Sequence, residues 1–189
     1  MKRIILGSTS PRRKDLLAGL DLKFEVDSGN FFDEGPEEGV DPHQVPLDMS
    51  VGKSHGFHRP LEEDEVLITA DTLVIVDGTA MGKPHSREDA VRELKTLSGR
   101  THEVVTGVTI RDAHREKTFS DTATVEFIPL TDEQIDYYID NYKPYDKAGS
   151  YAVQEWIGYV GIKAIHGSVY TIMGLPVHLV ASELQAFLR

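Results

Sequence analysis

Two apolar stretches rich in β-branched residues, 66–69 and 73–76, lie almost end to end in this chain, and Asp71 falls in the short gap between them. Such runs read as strands, and the Asp77-Gly78 pair that follows is a hairpin-type turn. A carboxylate among buried strands is costly unless it is paired or bound to a metal, so Asp71 is singled out at once. Helical signals alternate with further strands along the rest of the chain. Residues 3–6 read as a short buried strand and 7–10 as a turn. Ser10 followed by Pro11 is a helix start, with a capping hydroxyl before proline at the first helical position, and Leu16, Leu17 and Leu20 form its apolar face. Residues 24–27 suggest another strand, 29–42 a loop, and 44–56 a helix that contains Pro46 and Gly52. Ser86 with Asp89 and Thr131 with Gln134 have capping-box spacing. They open helices whose inward faces are Ala90, Val91, Leu94 and Leu97, and Ile135, Tyr138, Ile139 and Tyr142. Between these helices lie two β-rich segments, 102–111 and 117–128. Beyond Pro144, four glycines at 149, 158, 161 and 167 stand among strand-like residues. Pro176 opens a last helix with Leu179, Val180, Leu184 and Leu188. Interleaved helices and strands predict an α/β fold, a mixed β-sheet flanked by helices, in a single domain over 1–189.

Composition narrows the function. Hydrophobic residues at 40% and charged residues at 27% are ordinary for a globular chain. No stretch approaches the roughly 18 to 20 consecutive apolar residues that would span a bilayer, and the first residues have no signal-peptide pattern. Without cysteine neither a disulfide framework nor a thiolate zinc site can form. A cytoplasmic location is therefore expected. With 20 Lys and Arg against 31 Asp and Glu, the net charge of -11 argues against nucleic acid polymers and anionic membrane surfaces. A small polyanion is still admissible, because a local basic cluster and a divalent cation can override the global sign.

Three groups of residues could carry chemistry on a nucleotide or phosphate. Ser8-Thr9-Ser10-Pro11-Arg12-Arg13-Lys14 sits at a strand-to-helix junction, where free N–H groups, hydroxyls and forked guanidiniums suit phosphate. It lacks the Gly-Lys-Ser/Thr ending of a Walker loop. The same residues would also make an ordinary capped surface helix. Ala70-Asp71-Thr72 offers a general base or a Mg²⁺ ligand, or else a turn aspartate joining two strands, and the acidic pair Asp33-Glu34 could complete a carboxylate site. Lys53, Lys83 in Gly82-Lys83-Pro84, and Lys147 in Asp146-Lys147-Ala148 stand in Gly/Pro-containing contexts that suit point-charge contacts to phosphate, or plain loops. The histidines show no zinc-protease pattern, and His55 with His58 on one helical face is a poor site by itself.

Taken together, these segments resemble the Maf family of nucleoside triphosphate pyrophosphatases. The matching stretches, in order, are Leu6-Gly7-Ser8-Thr9-Ser10-Pro11-Arg12-Arg13, Ala70-Asp71-Thr72, Gly82-Lys83-Pro84 and Leu97-Ser98-Gly99-Arg100-Thr101-His102. They continue with Asp146-Lys147-Ala148-Gly149-Ser150-Tyr151 plus Gln154, and Gly167-Ser168 followed by Met173-Gly174-Leu175-Pro176. The resemblance implies an elongated α/β fold with a deep substrate cleft, dependence on a divalent cation (Mg²⁺ or Mn²⁺), and cleavage between the α and β phosphates. It implies Asp71 as the catalytic carboxylate, with Glu34 joining it as a metal-site or catalytic carboxylate. Ser10, Arg13, Lys53 and Lys83 become substrate- and phosphate-binding residues.

Branches of the family differ at the positions held here by Arg12, Thr72 and Gln154, and this Arg/Thr/Gln set is similar to the dTTP/UTP branch. A 7-methyl-GTP branch carries an aromatic residue, a glutamine and a glutamate instead. Gln154 is neutral and can both donate to and accept from a pyrimidine edge. The chain departs from the family pattern at Glu155-Trp156-Ile157, where glycines are more frequent, and around Lys53, where alanines are. The expected activity is removal of surplus or non-canonical nucleotides by an enzyme that, like its family, forms a homodimer. The rival readings are a pyrophosphatase for modified nucleotides such as 7-methyl-GTP, or a nucleotide-binding regulator of septum formation with little turnover.

Overall fold

The computed structural model describes residues 2–35 and 39–189. The expected loop at 29–42 falls partly outside the described residues. In chain order the elements are β1 (Arg3–Leu6), α1 (Pro11–Ala18), β2 (Phe24–Val26), α2 (Val45–His55), β3 (Glu65–Val76), β4 (Thr79–Met81), α3 (Arg87–Leu97), β5 (Thr101–Arg111) and β6 (Glu116–Phe127). They continue with α4 (Asp132–Tyr142), a 3-10 turn (Ala148–Ser150), α5 (Trp156–Gly161), β7 (Ile162–His166), α6 (Val169–Met173) and α7 (Val177–Leu188). Among the described residues seven strands form one sheet in the order β2-β1-β3-β5-β6-β7, with β4 paired to β3. β1 runs parallel to β2 and β3, whereas β4 is antiparallel to β3 and β7 to β6. The mixed sheet with flanking helices agrees with the α/β class expected from the sequence.

The chain packs as two compact units, one of Met1–Asp71, Thr106–Asp121 and Gly174–Arg189, the other of Thr72–Val105 and Thr122–Met173. In the first unit Ile4, Ile5 and Leu6 on β1 and Val66, Leu67 and Ile68 on β3 are buried, and Phe57 and Leu61 pack against Ile5 and Leu67. Helix α2 comes unusually close to β5: a Cβ on Gly107 would lie 2.3 Å from the Pro46 carbonyl oxygen. Hydroxyl groups tie the helix down. Ser50 Oγ donates to Leu47 O (2.8 Å) and lies 2.8 Å from Thr109 Oγ1, while Thr69 Oγ1 on β3 donates to Ser50 O (2.8 Å). In the second unit Ala90, Leu94 and Leu97 of α3 and Ile135, Tyr138 and Ile139 of α4 pack with Val74, Val104, Val125 and Phe127. Each large apolar side chain buried there contributes about 1.5–3 kcal/mol.

Several local expectations need correcting. The two apolar runs around Asp71 are not two strands joined by a turn but one twelve-residue strand, β3. Ala70, Asp71 and Thr72 hold no glycine or proline to break the ladder, so pairing carries straight through them. The glycine-rich stretch after Pro144 forms the 3-10 turn and two short helices besides one strand, β7. Ser86 caps α3 by accepting from Asp89 N, but the Asp89 carboxylate accepts from His85 N rather than completing the box. Thr131 and Gln134 do form the reciprocal box. On α7 the buried face is Val180, Leu184 and Phe187, with Leu188 turned out, because 184 and 187 share the inner side of the last turn.

Candidate active site

The helix start at Ser10 forms as expected and is pressed onto β3. Gly7 N donates to Ile68 O (2.9 Å), and a Cβ at Gly7 would meet Thr69 Cγ2 at 3.0 Å. Ser8 Oγ accepts from Ser10 N (3.2 Å), and Ser10 Oγ accepts from Arg13 N (3.4 Å). Ser10 is thus the N-cap of α1, with its hydroxyl proton still able to donate. Arg13 Nε donates to Gly174 O at 2.8 Å, which points the guanidinium inward rather than into water. Burial pushes the Arg13 pKa down; Asp71 opposes this, neighbouring Arg12 adds to it, and Glu34 opposes it too. A guanidinium stays charged through such shifts, so Arg13 is a fixed cation beside two carboxylates.

Lys53, in the last turn of α2, makes the central contact. Its Nζ donates to Asp71 Oδ1 at 2.7 Å and lies 2.9 Å from Glu34 Oε1. The Lys53 and Asp71 side chains are 18% and 20% exposed, against 54% for Glu34, so Glu34 is the arm of this site most open to solvent. Glu34 is brought there by a loop folded onto α2. Asn30 Nδ2 donates to Lys53 O (2.6 Å), Phe31 N to Gly56 O (2.8 Å) and Phe32 N to Asn30 Oδ1 (2.8 Å). Gly52 explains the departure from an alanine-rich helix: a Cβ there would sit 2.3 Å from the Phe32 ring. A helix-interior glycine costs about 1 kcal/mol relative to alanine, and here that cost admits the loop that delivers Glu34.

Arg13, Glu34, Lys53 and Asp71 are therefore gathered within the first unit, with Ser10 and the half-buried Arg12 on the same helix start. Thr72, Lys83 and Gln154 belong to the second. Thr72 follows Asp71 on β3 and is half-buried. Lys83 is exposed in a segment anchored by Gly149 N donating to Gly82 O (3.0 Å). Gly149 takes a φ of 68°, and a Cβ there would be 2.9 Å from Val74 Cγ2, so only glycine fits this anchor. Gln154 is exposed between the 3-10 turn and α5. Lys147, weighed above as a phosphate contact, is instead 8% exposed, with its Nζ 2.8 Å from Asp146 and 3.5 Å from Glu155. His55 and His58 do not share a helix face, since α2 ends at His55; they lie 2.6 Å from Glu116 and 2.9 Å from Asp27. Residues that sequence reasoning passed over include Asn30 and Phe32, whose roles exist only through contacts with α2.

Among the described residues no group of three or more His, Cys, Asp or Glu side chains converges as a metal cage. The pair Glu34 and Asp71 supplies two hard oxygen donors aimed at one point, marked by the Lys53 ammonium. That donor set fits Mg²⁺ or Mn²⁺, since Mg²⁺ is commonly held by one or two carboxylates together with substrate phosphates and waters. Lys53 and a bound cation would compete for the same oxygens. Carboxylates, an ammonium and an inward guanidinium beside a helix N-terminus suit a phosphate-handling α/β protein of the hydrolase type.

The chain belongs to the Maf-like protein family, which matches residues 3–187. A dTTP/UTP pyrophosphatase of Porphyromonas gingivalis is 51% identical over 187 residues, covering 98% of this chain and 94% of that protein. Proteins of the same name from Phocaeicola vulgatus and Christiangramia forsetii are 46% and 40% identical, covering 97% and 98% of this chain and 95% and 94% of theirs.

Proposed function

We propose that this chain hydrolyses dTTP and UTP to the nucleoside monophosphate and pyrophosphate, and so clears surplus or non-canonical nucleotides from the cytoplasm. The relatives' names support the substrate class, and the family match over 3–187 supports treating the whole chain as one functional domain. The observation that carries the reading is the convergence of Glu34 and Asp71 on one ammonium beside Arg13. Two carboxylates placed against a triphosphate would repel it without a cation between them, an arrangement that suits metal-assisted hydrolysis.

In this reading Glu34 and Asp71 hold a Mg²⁺ or Mn²⁺ ion, whose chemistry there is to offset triphosphate charge and make water more acidic. Asp71 accepts the proton of the water that attacks the α-phosphorus. Lys53 leaves the carboxylates for the phosphate chain and, with Arg13 and Lys83, stabilises charge on the departing pyrophosphate. Ser10 donates its remaining hydroxyl proton to a phosphate oxygen. Arg12, Thr72 and Gln154 select the base, with the neutral Gln154 amide suited to a pyrimidine edge rather than to a cationic methylated guanine. The active form is proposed as a homodimer.

Pyrophosphate release measured with dTTP, UTP, CTP, GTP, ATP and 7-methyl-GTP, with and without EDTA, tests the reading. Highest kcat/KM for dTTP and UTP, abolished by EDTA and restored by Mg²⁺ or Mn²⁺, is the expected result. Preference for 7-methyl-GTP, or dTTP binding without turnover, would replace it with one of the rival functions.

A further inference from the structure

Residues 151–155 connect the 3-10 turn to α5 and carry Gln154. This segment has no ladder or helix of its own, yet it is pinned on both sides of Gln154. Much of the pinning comes from one phenol. Tyr138 on α4 is fully buried, and its hydroxyl donates to Glu155 Oε2 (2.5 Å) while accepting from Ala152 N (3.1 Å). Glu155 N in turn donates to Ala152 O (3.1 Å). Glu155 occupies the N-cap position of α5 but makes no side-chain cap; its carboxylate is turned to Tyr138, with Lys147 Nζ 3.5 Å from the other oxygen. Gly158 closes the arrangement from α5, where a Cβ would fall 2.0 Å from Val153 O. Ala152, Val153 and Glu155 are all held, and Gln154 between them is exposed.

A geometry that fixes the backbone around a single exposed amide has a use if that amide must be read in one orientation. Uracil and thymine offer an N–H donor beside a carbonyl acceptor, whereas cytosine offers the reverse pair. A glutamine that rotates or shifts freely can satisfy either, so discrimination depends on how firmly it is held. We infer that Tyr138 and Glu155 are positioning residues for base selection, holding residues 152–155 so that Gln154 presents its amide to a uracil or thymine edge. The inference rests on the proposed role of Gln154. Burial, and then the Glu155 carboxylate, push the Tyr138 phenol pKa upward, which keeps the hydroxyl protonated and donating at neutral pH.

The test is kcat/KM for UTP and for CTP in wild type, Tyr138→Phe, Glu155→Ala, Glu155→Gln and Gln154→Ala, all measured well below their melting temperatures. Tyr138→Phe removes only the hydroxyl, and the UTP-to-CTP ratio is expected to fall about three- to tenfold, the scale of one or two hydrogen bonds. The change should come mainly from a higher KM for UTP. Glu155→Ala should behave alike, and Glu155→Gln, which keeps an acceptor oxygen, should recover most of the ratio. A merely structural role would lower both activities together and leave the ratio untouched, because a misfolded fraction cancels in it. An unchanged ratio in Tyr138→Phe and Glu155→Ala, alongside a collapsed ratio in Gln154→Ala, overturns the positioning role alone. An unchanged ratio in Gln154→Ala overturns the base-selecting role of Gln154 and the inference with it.

Discussion

His102 should make the stability of this protein fall as the pH drops from 6.5 towards 4. The side chain is 2% exposed on β5, stacked on Phe127 with ring centroids 5.6 Å apart and edge-on to Tyr151 at 5.4 Å. Its Nε2 lies 2.6 Å from the Tyr151 hydroxyl, and its Nδ1 has no partner among the described residues. Burial alone pushes its pKa down from 6.5 to about 4. The folded protein therefore holds the neutral ring, while the unfolded chain takes up a proton below about pH 6.5. Where the unfolded state binds more protons, stability rises with pH. The contribution is fully present above 6.5 and is lost as pH falls towards 4. At about 1.4 kcal/mol per pH unit, roughly 2 kcal/mol is lost by pH 5 and about 3 kcal/mol by pH 4. For a chain of this size a loss of 2 kcal/mol lowers the melting temperature by roughly 4–8 °C. His102→Gln, polar but without a titrating ring, should be less stable than wild type at pH 7.5 yet lose less between pH 7 and 5. Glu65 and Asp112, whose carboxyls are held below their usual pKa, lose their contributions at lower pH and do so in both proteins. Urea denaturation at pH 7 and pH 5 reads the difference. Equal losses in wild type and His102→Gln would refute the burial argument.

Asp71→Asn should lower pyrophosphate release by about 10²–10⁴-fold while leaving the melting curve within a few degrees of wild type. Retained turnover would remove Asp71 from the chemistry. Lys53→Met should bind Mn²⁺ more tightly than wild type in the absence of nucleotide, as read by electron paramagnetic resonance, because the ammonium no longer competes for Glu34 and Asp71. Equal or weaker Mn²⁺ affinity would show that those carboxylates do not bind the ion. Gly107→Ala forces a methyl against the Pro46 carbonyl, and should cost about 1–3 kcal/mol while displacing α2, and Lys53 with it. A variant with wild-type melting and turnover would mean that α2 does not depend on this close approach.

Much of the architecture was legible in local chemistry. Ser10-Pro11 caps and starts α1, Thr131 and Gln134 close a capping box, and Asp77-Gly78 turns β3 into β4, because each device acts over a few residues. Asp71 stood out for a similar reason, as a carboxylate in an apolar β-branched neighbourhood. Local rules misjudged what surrounds it. Nothing in Ala70-Asp71-Thr72 says whether a strand continues or turns; β3 continues as a member of the sheet, beside β5 and paired with β1 over 65–68 and with β4 over 74–76. The glycines after 144 were ambiguous in the same way. Gly149 is required by Val74 and Gly158 by the Val153 carbonyl, and both neighbours lie outside any local periodicity.

The sequence by itself determined the α/β alternation, the helix caps, the acidic net charge and the residue types of a phosphate-handling site. Each of these follows from short-range sterics, hydrogen bonding or simple charge. Tertiary structure alone decided that Lys53 would sit between Glu34 and Asp71, that Gly52 would admit the loop bearing Glu34, and that Tyr138 would grip both flanks of Gln154. These contacts join residues 14 to 20 positions apart. At that separation no propensity or spacing specifies a partner, and close packing of the elements brings the groups within hydrogen-bond reach.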